Sequence, residues 1–109
     1  MAFDERLAER IRGSLGKRKG IVEKKMFGGI AFLLKGNMCV GIHKSALIVR
    51  LAPEETDQAL AQPHTRCFDL TGRPMKGWVL VEPAGLKTDA KLSKWVQVAV
   101  QYAGSLPAK

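Results

Sequence analysis

A chain of 109 residues, 46% hydrophobic and 26% charged, has room for one core and the composition to fill it. That excludes an intrinsically disordered chain and leaves no length for a second core, so residues 1–109 are expected to make a single domain. Eighteen Lys and Arg against ten Asp and Glu leave a net charge of +8, which favours an anionic partner: nucleic acid, an acidic protein surface or a phosphorylated ligand. Solubility alone is the plain alternative.

Cys39 and Cys67 belong to no Cys-x-x-Cys pair, and His43 and His64 form no close set with them. A structural zinc site is therefore set aside, and both thiols read as reduced. No metal or other cofactor is implied. The acidic, amphipathic start Met1-Ala2-Phe3-Asp4-Glu5 is unlike a signal peptide, and the longest apolar run, Ile30 to Leu34, falls far short of a span of roughly 20 residues. A soluble cytoplasmic protein with no membrane partner is expected.

Phe3, Leu7, Ile11 and Leu15 recur every four residues and predict a helix ending near Leu15. Asp4 caps it, and Glu5 sits where the helix dipole favours an acid. Arg6 and Arg10 lie one turn apart on its solvent face, and the basic run Lys17-Arg18-Lys19 follows. Val22 to Phe27 reads as a strand, Gly28-Gly29 as a bulge or tight turn, and Ile30 to Leu34 as a strand buried on both faces. Lys35-Gly36-Asn37 turns the chain into a strand over Met38 to Ile42, and His43-Lys44-Ser45 turns it again into Ala46 to Leu51. Turns this short imply an antiparallel meander.

Pro53 with Glu54 and Glu55 starts a helix that runs to about Ala61 and stops at Pro63. Cys67 to Leu70 reads as a short strand, Thr71 to Pro74 as a loop, and Gly77 to Val81 as the last strand. Leu92, Trp95, Val96, Ala99, Tyr102, Ala103 and Leu106 predict a final helix, capped by Thr88 and Asp89 and ended by Pro107. Val98 and Val100 widen its apolar stripe and suggest a second buried surface such as a dimer contact. The fold class is α+β: an antiparallel sheet of about five to six strands with helices packed on it, in the order α-β-β-β-β-α-β-β-α.

Three stretches invite a functional reading. Glu23 to Gly29 sets a Gly-Gly turn beside Lys24 and Lys25, which either cradles a phosphate on backbone amides or is a bulge with the two lysines on opposite faces. Thr71 to Trp78 holds Arg73, Lys76, two glycines and a tryptophan, and is either a stacking and phosphate-contact loop or a turn with Trp78 as a core anchor. Cys39 and His43 face one side of a strand, yet four residues span about 13 Å, too far for an activating hydrogen bond. A buried structural cysteine is the simpler reading. Asp69 and Glu82 flank the last hairpin, where either can pair with Arg73 or Arg50.

The runs Glu23-Lys24-Lys25-Met26-Phe27-Gly28-Gly29-Ile30-Ala31-Phe32, Asn37-Met38-Cys39-Val40-Gly41 and Gly72-Arg73-Pro74-Met75-Lys76-Gly77-Trp78 together resemble the TfoX N-terminal domain family, and so does the closing Ser105-Leu106-Pro107-Ala108-Lys109. The resemblance covers nearly the whole chain. It implies an antiparallel α+β domain similar to the secretion-chaperone-like folds, which often pair as homodimers. The family's namesakes are bacterial regulators of natural competence, acting on transcription alongside a cyclic-AMP-responsive activator. They carry a C-terminal domain of helix-hairpin-helix character, and the end at Lys109 implies a stand-alone copy without it. The family offers no catalytic residues to transfer.

The expected function is thus a non-enzymatic regulatory module, a homodimer that contacts nucleic acid or a transcription-related protein. The cations expected to form its anion-binding face are Arg6, Arg10, Lys17, Arg18, Lys19, Lys24, Lys25, Arg73 and Lys76. The alternatives are a protein-interaction domain with no nucleic-acid role, and a small enzyme using Cys39.

Overall fold

The computed structural model describes residues 4–16, 20–26, 29–68 and 76–107. Helix α1 (Glu5–Leu15) starts where expected, because the Asp4 carboxylate accepts the Leu7 amide at 3.1 Å and satisfies one of the amides that a helix start leaves without a partner. Leu7, Ala8, Ile11 and Leu15 bury its inner face.

Strands β1 (Ile21–Met26), β2 (Gly29–Leu34), β3 (Asn37–His43) and β4 (Ala46–Arg50) follow as a meander. Between β2 and β3, Lys35 and Gly36 both have positive φ, the backbone of a two-residue turn whose twist matches that of the flanking strands. After β4, the 3₁₀ turn Pro53–Glu55 leads into the short helix α2 (Thr56–Leu60). Strands β5 (Thr65–Cys67) and β6 (Trp78–Val81), a 3₁₀ turn Pro83–Leu86 and helix α3 (Asp89–Gly104) complete the order. The sheet has six antiparallel strands in the order β1-β2-β3-β4-β6-β5. The α+β class and the element order thus agree with the sequence reading.

Helices α1 and α3 lie on one face of the sheet, over a core that includes Phe32, Ile42, Leu47, Val49, Val79 and Val81 from the strands and Leu92, Val96 and Ala99 from α3. A smaller cluster of Ala46, Ile48, Phe68 and Leu80, flanked by Met38 and Trp78, occupies the other face. Two buried polar groups tie the ends together. The Thr56 hydroxyl accepts the Gly77 amide at 2.7 Å, and the Asn37 side-chain amide donates to the Pro107 carbonyl at 2.8 Å. Among the described residues, no helix is long and apolar enough to cross a membrane.

Three local expectations are corrected. Strand β5 begins at Thr65, not Cys67, because the Thr65 hydroxyl donates to the carbonyls of Ala59 and Leu60 at the end of α2 and of Gln62 just beyond it, the last at 2.8 Å, and so starts pairing at once. Helix α3 stops at Gly104; Leu106 packs half-buried beyond it, and the Pro107 carbonyl is taken by Asn37. Glu82 pairs with Arg66 across the β5–β6 ladder, rather than with Arg50. The β2–β3 ladder also carries a bulge at Cys39, where Phe32 faces Val40 while Leu33 faces Met38, so Cys39 is the extra residue; at the Gly-Gly stretch Gly29 pairs with Met26, and Phe27 and Gly28 lie outside the described residues.

Candidate functional site

Among the described residues, no group of three or more His, Cys, Asp and Glu is placed to hold a metal ion. The bulge also separates the Cys39 and His43 pair. It breaks the alternation, so Cys39 joins the helix-side core at 0% exposure while His43 shares the parity of Gly41 on the other face. The Cys39 thiol donates to the Phe32 carbonyl at 3.2 Å.

The candidate cations divide by position. Arg6 and Arg10 project from α1 into an open depression of about 490 Å³, lined also by Asp4, Ser45, Leu86, Lys87 and Asp89. Both carboxylates there are already engaged. Asp4 caps α1, and Asp89 accepts the Arg10 guanidinium at 3.2 Å. Arg10 also donates to the Leu86 carbonyl at 2.6 Å, so it fastens the turn Pro83–Leu86 to α1. Arg6 and Lys87 are the cations of the depression that enter no ion pair among the described residues. Lys87 was not among the residues singled out from the sequence, and no spacing signal points to it. Only the fold brings the start of α1 against the residues preceding α3.

On the edge strand β1, Lys24 and Lys25 are both exposed and, being adjacent, point to opposite faces. Lys25 sits opposite Ile30, which faces Ile42, and so lies toward the end of the sheet that carries the turn Lys44-Ser45 and the depression. Lys76 lies at the opposite end, just before Trp78, which pairs with Arg50. Lys17, Arg18, Lys19 and Arg73 lie outside the described residues. The depression thus brings together Arg6 and Arg10 with Lys87, and Lys25 joins them at that end of the sheet.

Arg12 and Arg50 are committed to structure. Arg12 grips Glu23 through two hydrogen bonds of 2.7 Å. That hydrogen bonding holds the Glu23 carboxyl below the usual carboxylate range and raises Arg12. Arg50 lies 5.3 Å from the ring centre of Trp78 and 5.6 Å from that of Tyr102, a double cation–π contact. Trp78 is half-buried on the outer face against Phe68. Of the Gly-Gly stretch, Gly29 opens β2, and a side chain there would strike the Ile42 carbonyl oxygen at 1.9 Å. Its glycine is required by the approach of β3.

The model of the TfoX N-terminal domain matches residues 14–103. The chain belongs to that family. No curated protein and no solved structure matches it. In this TfoX N-terminal domain the matched stretch takes in the whole sheet and nearly all of α3, whereas Arg6 and Arg10 precede it. The depression is therefore built from both sides of that boundary.

Proposed function

We propose that this domain is a non-enzymatic regulatory module of the bacterial cytoplasm, like the N-terminal domain of the competence regulators, and that it contacts the phosphate backbone of nucleic acid. The basic end of the sheet makes the contact through Arg6, Lys25 and Lys87. Lys17, Arg18, Lys19, Lys24, Arg73 and Lys76 add to the field, and Arg10 keeps the depression in shape. The observation that carries this reading is the depression itself, where the carboxylates are spent on a helix cap and on Arg10 and the remaining charge is positive. The +8 net charge supports it at longer range.

Fluorescence anisotropy with labelled duplex, single-stranded DNA and RNA across a salt series tests the proposal. Each phosphate contact contributes about −0.9 to the log–log slope on duplex DNA, so three to four contacts give a slope of about −3. Arg6→Glu with Lys87→Glu is expected to flatten that slope, whereas Lys76→Glu at the far end changes it less. Absence of binding at low salt would reject the nucleic-acid reading in favour of a transcription-related protein with an acidic surface.

Homodimerisation is part of the same reading. Val100 of α3 is consumed by the chain's own core, while Val22 on the unpaired edge of β1 is 58% exposed. Pairing two β1 edges about a two-fold axis would bury Val22 twice. Lys24 and Lys25 repel across such a pair, so the dimer should tighten as salt rises, opposite to nucleic-acid binding. Sedimentation velocity showing a species of twice 11.9 kDa would support it. A monomer at every salt concentration would exclude it.

A further inference from the structure

On the helix-covered side of the sheet, a cleft of about 460 Å³ separates α2 from the first half of α3. That volume lies within the range of small-molecule sites, about 300–1,000 Å³. Each wall is a stripe at helical spacing. Glu55, Gln58 and Gln62 line one side; Lys91, Lys94, Trp95 and Val98 line the other. Buried Leu51 and Ala59 form the floor.

The cleft follows from how α2 is anchored. The Thr56 hydroxyl holds the start of α2 to Gly77, and the Thr65 hydroxyl holds its end to β5. The helix is therefore pinned over β5 and β6 and does not close onto α3. Val98, which widens the apolar stripe of α3 in the sequence, finds this gap where the sequence suggests a dimer contact. Trp95 packs partly on the core and turns its remaining surface to the cleft.

The lining has two chemical halves. Trp95, Val98, Leu51 and Ala59 are apolar and offer a flat ring a face to stack on. Lys91 and Lys94 are exposed, stand one turn apart on the same wall and enter no ion pair among the described residues. Glu55 is the one carboxylate among the lining residues, so the cleft carries an excess of positive charge. A neutral ring would leave that charge unanswered, and a small inorganic anion would leave the apolar floor wet.

We propose that this cleft binds a small planar aromatic acid, its ring against Trp95 and Val98 and its acidic group between Lys91 and Lys94. The site is distinct from the basic depression and does not depend on nucleic-acid binding. A carboxylate and a phosphate monoester present the same anionic chemistry to two lysines, and the experiment separates them.

The test uses 1-anilinonaphthalene-8-sulfonate as the direct probe, with 2-naphthoate, 2-naphthyl phosphate and 2-naphthamide as competitors. In a Trp78→Phe background, Trp95 is the remaining tryptophan, so energy transfer from it to the probe reports binding, and its weakening in the Lys91→Gln/Lys94→Gln variant assigns that binding to this cleft. The expected result is saturable binding at one site per chain, with displacement by the naphthoate or the naphthyl phosphate. The stronger of these two competitors identifies the acidic group. The neutral amide, and the Lys91→Gln/Lys94→Gln variant, should each weaken the interaction by about tenfold. A Lys24→Gln/Lys25→Gln variant removes the same charge elsewhere and should change it by less than about twofold. The proposal is overturned by any of three results: no saturable transfer from Trp95, equal competition by the amide, or equal weakening by the two lysine pairs. Circular dichroism of each variant establishes that the fold is intact.

Discussion

Replacing Gly29 with alanine sets a methyl group against the backbone of β3. The added Cβ would sit 1.9 Å from the Ile42 carbonyl oxygen and 3.0 Å from its carbon. Ordinary contact begins near 3.4 Å, so β2 and β3 must part by about 1.5 Å at this point. The obstacle is backbone, not a side chain that can rotate away, and separating the strands breaks ladder hydrogen bonds between buried residues. Overpacking of this kind costs about 3 kcal/mol or more, a large part of the roughly 5–15 kcal/mol that stabilises a domain. Gly13 is the internal control: it lies in α1 with nothing within 4 Å of an added Cβ, so alanine there should stabilise by about 0.5–1 kcal/mol. Urea unfolding followed by circular dichroism measures both. With an m-value of about 1–3 kcal/mol per molar, Gly29→Ala should lower the midpoint by roughly 1–3 M, and Gly13→Ala should raise it. A Gly29→Ala variant within about 0.5 kcal/mol of the parent would refute the packing account and return the Gly-Gly stretch to a functional role.

Three further outcomes are expected. The hydrogen bonds from Arg12 hold the Glu23 carboxyl below the usual carboxylate range, so its contribution to stability is present above the unfolded value and lost as pH falls through the folded one; Glu23→Gln should cost about 0.5 kcal/mol at pH 7 and nothing near pH 2, the exposure of both partners keeping the value small. Thr56→Val removes the hydroxyl that accepts the buried Gly77 amide and should cost about 1–3 kcal/mol in the same urea assay. Thiol titration of the native protein should modify the half-exposed Cys67 first, with Cys39 reacting only on unfolding; rapid alkylation of Cys39 in a Cys67→Ser variant would revive the enzyme reading.

Much of the fold is legible in the residues because its causes are local. The α1 cap needs only Asp4 three positions before Leu7, and the β2–β3 and β3–β4 turns are set by Lys35-Gly36 and Lys44-Ser45 between apolar runs. The stripe of α3 repeats for most of its 16 residues. What the sequence conceals is tertiary. Strand β5 is placed by the bond of Thr65 to carbonyls of α2, and the bulge at Cys39 is invisible to a strict alternation. The same limit applies to the sites. Arg6 and Arg10 are readable as one helix face, but Lys87 joins them only through packing, and the gap beside Val98 exists because Thr56 and Thr65 hold α2 away.

The two proposed surfaces share a wall, and this sets the sign of any coupling between them. The turn Pro83–Leu86 gives Pro83 and Leu86 to the depression and Gly85 to the cleft. Arg10 clamps that turn from the depression side through the Leu86 carbonyl. An aromatic acid in the cleft adds negative charge beside Lys91, two residues from Asp89 of the depression and well within a Debye length of about 8 Å along the helix. It should therefore weaken duplex binding by a few-fold, and linkage requires the duplex to weaken the acid by the same factor. Anisotropy titrations with and without saturating 2-naphthoate measure the first effect, and probe displacement with and without duplex measures the second. 2-Naphthamide, lacking the charge, should produce neither. Strengthened duplex binding in the presence of the acid would contradict the electrostatic account, because added negative charge cannot favour a phosphate contact at that end of the sheet.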